Sequence, residues 1–478
     1  NLSGSLTSYD FTKLSSLEVV DLSENQLQGE LPTALYSMGS ITFVDFEKNE
    51  MSGTLSTEIG KLSLLRRLVL SDNKLSGQIP SEIGQVRDLE TFDLSGNNLV
   101  GSIPSEVGNL SDLLHVALVN AGLTGTIPTE FGRVIKLESL LLSVNALEGS
   151  IPEELGLLQK LESLLLQSCG LNGTIPLSLG SLTDLNVLSI GINDFTPGPI
   201  PSFVYNLENL QTLELQTTQL TGSLGDDIKN LKKLQLLKLS DNDLSGIPDS
   251  IGELTELIEM RLQGNVISGE IPASLGQLSK LTDLRLSLNR FFGVIPDSIG
   301  NLLSLERFEV GRNFVSGHIP DTITQLENLQ LLWCEDNYIS GTIPEGIGSM
   351  TQLREFVCHM NRYENVGAPG INGTIPESIG LLQNLQTFSV YLNGLTGEIP
   401  ESVGIMEALV TLDVENNFLG GTVPSVLGDL DNLREIRLGG NQLDSPLPGS
   451  VCSLELTTYL VDCGLVCQCC TGCGTRDS

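Results

Sequence analysis

The stretch that decides the fold is LETFDLSGNNLVGSIP, which runs from Leu89 to Pro104. Leu89, Phe92 and Leu94 are spaced by three and two positions, and Asn97 follows them. Apolar residues two positions apart are typical of a short strand that buries alternate side chains. The Asn and the Gly-Ser-Ile-Pro beyond it indicate a turn followed by an extended return segment.

The same pattern recurs along almost the whole chain, and Asn97 is one member of a ladder of positions spaced mostly 24 residues apart. The ladder has 19 positions, of which 16 are Asn. Its members are Asn1, Asn25, Asn49, Asn73, Asn97, Ala121, Asn145, Cys169, Asn193, Thr218, Asn242, Asn265, Asn289, Asn313, Asn337, Asn361, Asn393, Asn417 and Asn441. An amide both donates and accepts, so each buried ladder Asn is expected to satisfy backbone groups of neighbouring turns.

The segment that follows each Pro is too short for an α-helix and predicts a 3₁₀ turn. We therefore predict an α/β repeat solenoid of about 19 turns of 24 residues, built mostly from short parallel β-strands with 3₁₀ turns. It covers residues 1–448, with a short insertion at 362–370, and a Cys-rich cap covers 449–478. Because an open solenoid end would expose its apolar core, we expect the chain to continue upstream of Asn1.

Composition excludes several classes of function. Lys and Arg number 25 against 59 Asp and Glu, a net charge of −34 that repels nucleic acid and anionic membranes. No apolar run approaches the roughly 18 residues of a membrane span, so we expect no direct membrane insertion. The sequence has no nucleophile elbow, no P-loop, no zinc-protease motif and no dinucleotide fingerprint. We predict a non-enzyme with no catalytic residues, no cofactor and no bound metal.

These repeats resemble the plant-type extracellular leucine-rich repeat family, known for its Leu-x-Gly-x-Ile-Pro signature, over residues 1 to about 448. Its members include receptor-kinase ectodomains, receptor-like proteins and inhibitors of wall-degrading enzymes. The resemblance implies a right-handed superhelix, a secreted or cell-surface location, and a parallel sheet whose concave face binds ligands. The Cys-rich tail is similar to that of secreted leucine-rich repeat proteins from stramenopile algae.

The nine cysteines fall into two groups. Cys169 replaces a ladder Asn, and Cys334 and Cys358 fill inward strand positions. We interpret all three as unbridged core residues, because parallel inward side chains rarely adopt the dihedral angle of a disulfide. The other six are expected to form three disulfides of a terminal cap, with a zinc cluster as the alternative: Cys452, Cys463, Cys467, Cys469, Cys470 and Cys473.

Four Asn-x-Ser/Thr sequons make the chain a candidate glycoprotein. Asn172 and Asn372 precede the Gly of the return segment, where a glycan projects from the surface, and Asn109 is a third candidate. Asn1 is a ladder residue and is expected to be buried.

Strand alternation predicts which side chains face the concave side, four and two residues before each ladder position. Among the side chains four residues before the ladder, those from Val69 to Leu165 form an apolar zone, and Lys238, Arg261 and Arg285 form a basic zone. The basic zone has two interpretations. It recognises an anion, or cross-strand pairing with Glu259, Asp283 and other residues of that face neutralises it.

An aromatic zone is the stronger candidate for a binding site, because exposed aromatics on a rigid surface commonly anchor interfaces and stack on sugars. The predicted ligand-binding residues are Trp333, Val357, His359 and Tyr391, with Arg307 and Glu335 as a charged rim. The insertion at 362–370 begins beside them, and loops on rigid scaffolds often carry binding residues. The alternatives are a Trp that only covers an irregular strand and a loop of tolerated length variation.

We therefore predict an extracellular recognition module that binds a protein, peptide or polysaccharide on its concave face. The alternatives are a structural role in adhesion, matrix or surface ordering of the ice-binding kind, and inhibition of a secreted wall-degrading enzyme. The sequence leaves the oligomeric state open between a monomer and a homo-oligomer.

Overall fold

The computed structural model describes residues 2–6, 14, 16–363, 367–444, 447–454 and 456–460. The chain divides into two compact units, one of residues 1–221 with 230–242 and one of residues 222–229 with 243–478. Both are built from short parallel strands and 3₁₀ turns, and no residue in the described ranges lies in an α-helix. The predicted repeat solenoid of strands and 3₁₀ turns is confirmed.

Each repeat gives one strand of three residues to the parallel sheet of its unit, here called the front sheet. In the first unit its strands are Val19–Asp21, Phe43–Asp45, Arg67–Val69, Thr91–Asp93, His115–Ala117, Ser139–Leu141, Ser163–Leu165, Val187–Ser189, Thr212–Glu214 and Leu236–Lys238. In the second unit they are Glu259–Arg261, Asp283–Arg285, Arg307–Glu309, Leu331–Trp333, Glu355–Val357, Thr387–Ser389, Thr411–Asp413, Glu435–Arg437 and Thr458–Leu460. Equivalent residues of consecutive repeats stand opposite each other, as Phe92 does between Leu68 and Val116.

A second set of short strands follows the ladder positions. These strands are Ser3–Ser5, Gln26–Gly29, Glu50–Met51, Ser76–Gly77, Asn98–Leu99, Thr124–Gly125, Ala146–Leu147, Asn172–Gly173, Asp194–Phe195, Thr221–Ser223, Asp243–Gly246, Ser268–Glu270, Arg290–Val294, Phe314–His318, Tyr338–Thr342, Ile371–Gly373 and Gly394–Leu395. They pair in parallel with their neighbours within small groups.

The 3₁₀ turns return the chain to the next front strand. They are Thr33–Ser37, Thr57–Lys61, Ser81–Gln85, Ser105–Asn109, Thr129–Arg133, Glu153–Leu157, Leu177–Ser181, Ser202–Asn206, Asp226–Asn230, Asp249–Glu253, Ala273–Gln277, Asp297–Asn301, Asp321–Gln325, Glu345–Ser349, Glu377–Leu381, Glu401–Ile405, Ser425–Asp429 and Val451–Ser453. Most begin directly after a Pro; Pro104, for example, holds φ at −70° before Ser105. The ring fixes this angle and needs no hydrogen bond from its nitrogen, so Pro suits the start of a turn.

The ladder Asn binds backbone groups of two adjacent repeats, as predicted. Asn97 Nδ2 donates to the carbonyl oxygens of Leu70, Leu94 and Ser95 at 3.0, 2.9 and 3.1 Å. Its Oδ1 accepts from the Leu75 N–H at 2.9 Å. The side chain is only 6% exposed, so these bonds satisfy groups that water cannot reach.

Two ladder positions hold residues smaller than Asn, Ala121 and Cys169, and each replaces the amide in a different way. At Ala121 the backbone itself moves in, and its carbonyl accepts from the Leu99 N–H at 2.8 Å. Gly122 permits this approach, because its φ is +80° and a Cβ there would stand 2.5 Å from the Leu99 carbonyl oxygen. At Cys169 the thiol replaces the amide and donates to the Leu142 carbonyl at 3.2 Å. Burial raises the pKa of Cys169 to about 11.

The prediction that Cys334 and Cys358 are unbridged is wrong, because a disulfide joins them. Both are fully buried behind adjacent strands of the front sheet. Their in-register positions place the Cα atoms 4.7 Å apart, which is within reach of a disulfide. Of the predicted cap, Cys452 is disulfide-bonded. The remaining cap cysteines, Cys463, Cys467, Cys469, Cys470 and Cys473, lie outside the described residues.

The insertion forms a small hairpin and does not interrupt the ladder. Arg362–Tyr363 pairs antiparallel with Ala368–Pro369, and residues 364–366 lie outside the described part. Across the insertion, Asn393 Nδ2 still donates to the Cys358 carbonyl oxygen at 2.9 Å. The ladder hydrogen bonds therefore continue past the extra residues.

Candidate functional site

The cations of the predicted basic zone are balanced by carboxylates of the front sheet. Arg261 lies 2.8 Å from Glu259 and 3.2 Å from Asp283. Arg285 contacts Asp283 at 2.8 Å. Lys238, in the first unit, lies 2.6 Å from a glutamate on the preceding strand. Cross-strand neutralisation therefore describes these residues better than an open anion site.

Arg307 and Glu335, predicted as one charged rim, lie at opposite ends of the front strands. Arg307 stands six residues before its ladder Asn, and its guanidinium lies 3.0 Å from the Glu309 carboxylate. Glu335 stands two residues before its own ladder position, and within the described ranges no hydrogen bond or ion pair joins it to Arg307. Arg307 instead lines a shallow pocket of about 240 Å³ on the front sheet, together with Asp283 and Arg285.

The structure brings the four central residues of the aromatic zone together on neighbouring front strands; we call Trp333, Val357, His359 and Tyr391 the aromatic surface. Trp333 and Val357 are cross-strand partners. The rings of His359 and Tyr391 stack, with centroids 4.2 Å apart and planes at 18°. All four side chains are half-buried, so each keeps part of its surface open to solvent.

Two carboxylates border the aromatic surface. Glu355 Oε2 accepts a hydrogen bond from Trp333 Nε1 at 2.9 Å, which fixes the orientation of the indole. The Glu335 carboxylate lies over Gly311, where a Cβ would overlap it. Burial raises the pKa of Glu335 to about 7, the charge of nearby Arg312 opposes this shift, and the charges of Glu309 and Asp336 add to it.

Side chains of the insertion hairpin dock beside this surface. The Tyr363 hydroxyl donates to the Asp336 carboxylate, and the Tyr363 ring meets the edge of Tyr338 at 5.5 Å between centroids. Arg362 lies over the Phe418 ring, 4.4 Å from its centroid. These contacts and the role of Glu355 were not predicted, because the aromatic zone was defined from the positions four and two before the ladder. The positions six before and one after the ladder recur with the same period. This spacing could have identified Glu355, Tyr338 and Phe418 from the sequence.

The predicted glycosylation sites differ in exposure, and the described residues show no metal site and no membrane span. Asn109 and Asn172 are exposed, Asn372 is half-buried, and Asn1 lies outside the described residues. In the described ranges, no three His, Cys, Asp or Glu side chains are grouped so that they would hold a metal ion. None of the helical segments described is long and apolar enough to cross a membrane.

Stacked short strands, an Asn ladder and 3₁₀ returns define a parallel-β repeat solenoid. The chain belongs to the leucine-rich repeat family. The family model of a leucine-rich repeat region matches residues 43–164, and the model of the single repeat matches at 16–38, 160–182, 233–254, 280–302, 328–350 and 432–454. Among curated protein sequences, none matches this chain.

Solved structures with the same fold include plant receptors. The plant peptide hormone receptor RGFR1, in complex with RGF2, is 32% identical with a TM-score of 0.84, covering 96% of this chain and 76% of the receptor. The ectodomain of the Arabidopsis receptor kinase HAESA, bound to an extended IDA peptide hormone, is 32% identical with a TM-score of 0.83, covering 96% and 81%. A Leptospira interrogans leucine-rich repeat protein is 27% identical with a TM-score of 0.56, covering 91% and 93%.

Proposed function

We propose that this chain is an extracellular, non-enzymatic recognition module that binds a peptide or protein through the aromatic surface. The observation that carries the proposal is the clustering of Trp333, His359 and Tyr391, half-open to solvent, on one rigid sheet. Partly exposed aromatics of this kind supply large contact areas at low entropic cost. Plant receptors of the same fold, solved with peptide hormones, support a peptide ligand.

The mechanism is preorganisation. The Cys334–Cys358 disulfide joins the two strands that carry Trp333 and Val357, and the ladder fixes their backbone. The Trp333–Glu355 hydrogen bond holds the indole in one orientation. This chain therefore loses little conformational entropy when a ligand binds.

Disulfides and sequons support the extracellular location. Disulfides persist in oxidising compartments, and exposed Asn109 and Asn172 are accessible to glycosylation. We also propose a glycan at Asn372 and a disulfide-closed cap from Cys452 to Cys473. Intact-mass measurement of protein secreted by a eukaryotic host, before and after enzymatic deglycosylation, tests the glycans. Thiol labelling of the unreduced protein tests the cap, and labelling of these cysteines would contradict it.

The binding site is tested by screening the labelled protein against secreted-peptide, secreted-protein and glycan arrays. With the strongest hit, Trp333→Ala and Tyr391→Ala should each weaken binding about thirtyfold, the effect of removing roughly 2 kcal/mol of aromatic contact. Phe314→Ala is the matched control, because this Phe is 48% exposed and lies outside the front sheet. All three variants should melt within a few degrees of the parent protein.

Two results would contradict the proposal. Normal binding by the Trp333 and Tyr391 variants, with loss of binding in Arg261→Glu or Lys238→Glu, would move the site to the basic zone. A hit from the glycan array alone would replace the peptide or protein ligand with a polysaccharide.

A further inference from the structure

Charge on the front face of the second unit is unevenly balanced. Its four arginines are each ion-paired with carboxylates of the same face: Arg261 with Glu259 and Asp283, Arg285 with Asp283, Arg307 with Glu309, and Arg437 with Asp413 and Glu435. These pairs lie on both sides of the aromatic surface. A carboxylate on a ligand would have to displace one of them.

The carboxylates that border the aromatic surface are different. Neither Glu335 nor Glu355 forms an ion pair with a Lys or Arg of the described ranges, and Glu355 is bonded by the neutral indole of Trp333. Glu335 Oε2 is buried and accepts no hydrogen bond within the described part of the chain. A buried carboxylate oxygen without a donor is unfavourable, and a ligand that brings a donor gains from satisfying it.

Aromatic faces add a second attraction for the same kind of group. Trp333 and the stacked His359–Tyr391 pair present π systems within the same few strands as the two carboxylates. A guanidinium or ammonium group is attracted to such faces, with Trp the strongest partner. Carboxylates and aromatic rings together therefore select for a cation, and the chain's net charge of −34 draws cations toward it.

Resting on the proposed function, we propose that the aromatic surface binds an Arg or Lys side chain of its peptide or protein ligand, held between the Glu335 carboxylate and the Trp333 ring. The cation donates hydrogen bonds to the Glu335 carboxylate, and its aliphatic stem packs on the rings. Within the proposed function, a cationic side chain of the ligand is therefore the group that decides specificity.

The same groups make the binding depend on pH. The charges of Glu309 and Arg312 from the preceding repeat, and of Asp336 from its own turn, act on Glu335. Acidification below neutrality protonates Glu335, because burial raises its pKa. Protonation removes the negative charge that holds a cation, so affinity should rise from acidic toward mildly alkaline pH.

Trp333 is the only tryptophan in the chain, so indole fluorescence reports on this site alone. The probe is the blocked peptide acetyl-Ala-Arg-Ala-amide, titrated at constant ionic strength against the full chain. Its neutral counterpart replaces Arg with citrulline, which keeps the shape and loses the charge. We expect a saturable fluorescence change with the Arg peptide and binding at least about tenfold weaker with the citrulline peptide.

Glu335→Gln should weaken the Arg peptide about tenfold and flatten its pH dependence. Glu377→Gln is the matched control, because it removes the same charge from an exposed 3₁₀ turn of the same unit and should leave affinity unchanged. Equal binding of the two peptides, no saturable signal with Arg, or an unchanged Glu335→Gln variant would each overturn the proposal. A ligand that requires Trp333 but carries no cation would overturn it while leaving the proposed function intact.

Discussion

At the scale of single residues, the ladder asparagines tie each repeat to the one before it. Each buried amide replaces water for several backbone groups at once, which no apolar side chain can do. Where the amide is missing, the structure substitutes something specific: a closer backbone at Ala121, a thiol at Cys169, and a hydroxyl at Thr218 that donates to the Leu215 carbonyl at 2.6 Å. Loss of the amide without such a substitute should therefore be costly.

Asn97→Ala tests this at one ladder position. The change leaves the Leu70 and Leu94 carbonyls and the Leu75 N–H without their side-chain partner, and we expect it to lower the free energy of unfolding by about 3 kcal/mol. Urea unfolding followed by circular dichroism measures the effect. Asn98→Ala is the control, because its side chain is exposed and the change should cost less than about 0.5 kcal/mol. Equal effects in the two variants would refute this role of the ladder.

At the scale of secondary-structure elements, the disulfide lies behind the aromatic surface and the insertion hairpin contacts one end of it. The disulfide links the strands Leu331–Trp333 and Glu355–Val357 from the buried side. The hairpin contacts the turn that follows the first of these strands, through Tyr363 and Asp336. The surface proposed to bind the ligand is therefore supported from behind and along one end.

Removal of the disulfide should reduce stability without removing the fold. We expect the Cys334→Ala/Cys358→Ala double variant to lose about 3 kcal/mol of unfolding free energy, because the cross-link restricts the unfolded chain over a loop of 24 residues. Urea unfolding measures the loss. As an independent check, thiol alkylation of the denatured, unreduced protein should modify Cys169 and leave Cys334 and Cys358 intact. Alkylation of all three would contradict the disulfide.

At the scale of the whole molecule, the excess of acidic residues sets the response to pH and salt. With a net charge of −34, self-repulsion opposes the folded state near neutral pH and is relieved by protonation or screening. Two carboxylates of the front face add to this effect. Burial raises the pKa of Glu335 to about 7 and that of Asp413 to about 6.

The sign of the pH effect follows from these shifts. A carboxyl whose pKa is higher in the folded than in the unfolded state contributes stability below the unfolded value, and that stability is lost as pH rises through the folded value. We therefore expect a higher melting temperature near about pH 5 than near about pH 8, with the change concentrated between about pH 5 and 7. Glu335→Gln with Asp413→Asn should flatten the profile. Added NaCl should raise the melting temperature most at the alkaline end, and a profile that rises with pH would contradict the prediction.

The sequence by itself determined the repeat solenoid, its strands and turns, and the side chains that share the front face. The reason is that these features depend on a local period of 24 residues. Wherever this unit recurs, the residues equivalent to Leu89, Phe92 and Leu94 are buried, and the strands of consecutive units pair in register. The same period is sufficient to place Trp333 and Val357 on one surface, together with the stacked rings of His359 and Tyr391.

Only the tertiary structure decided which of these side chains bind one another. Arg307 pairs with Glu309 rather than Glu335, Cys334 is bonded to Cys358, and the half-buried Glu335 places its carboxylate over Gly311. Such choices depend on side-chain direction, burial and competing partners on adjacent strands, none of which the repeat period specifies. A pattern of spacing fixes where Cα atoms stand, whereas charge pairing and pKa are set by the atoms that surround each group.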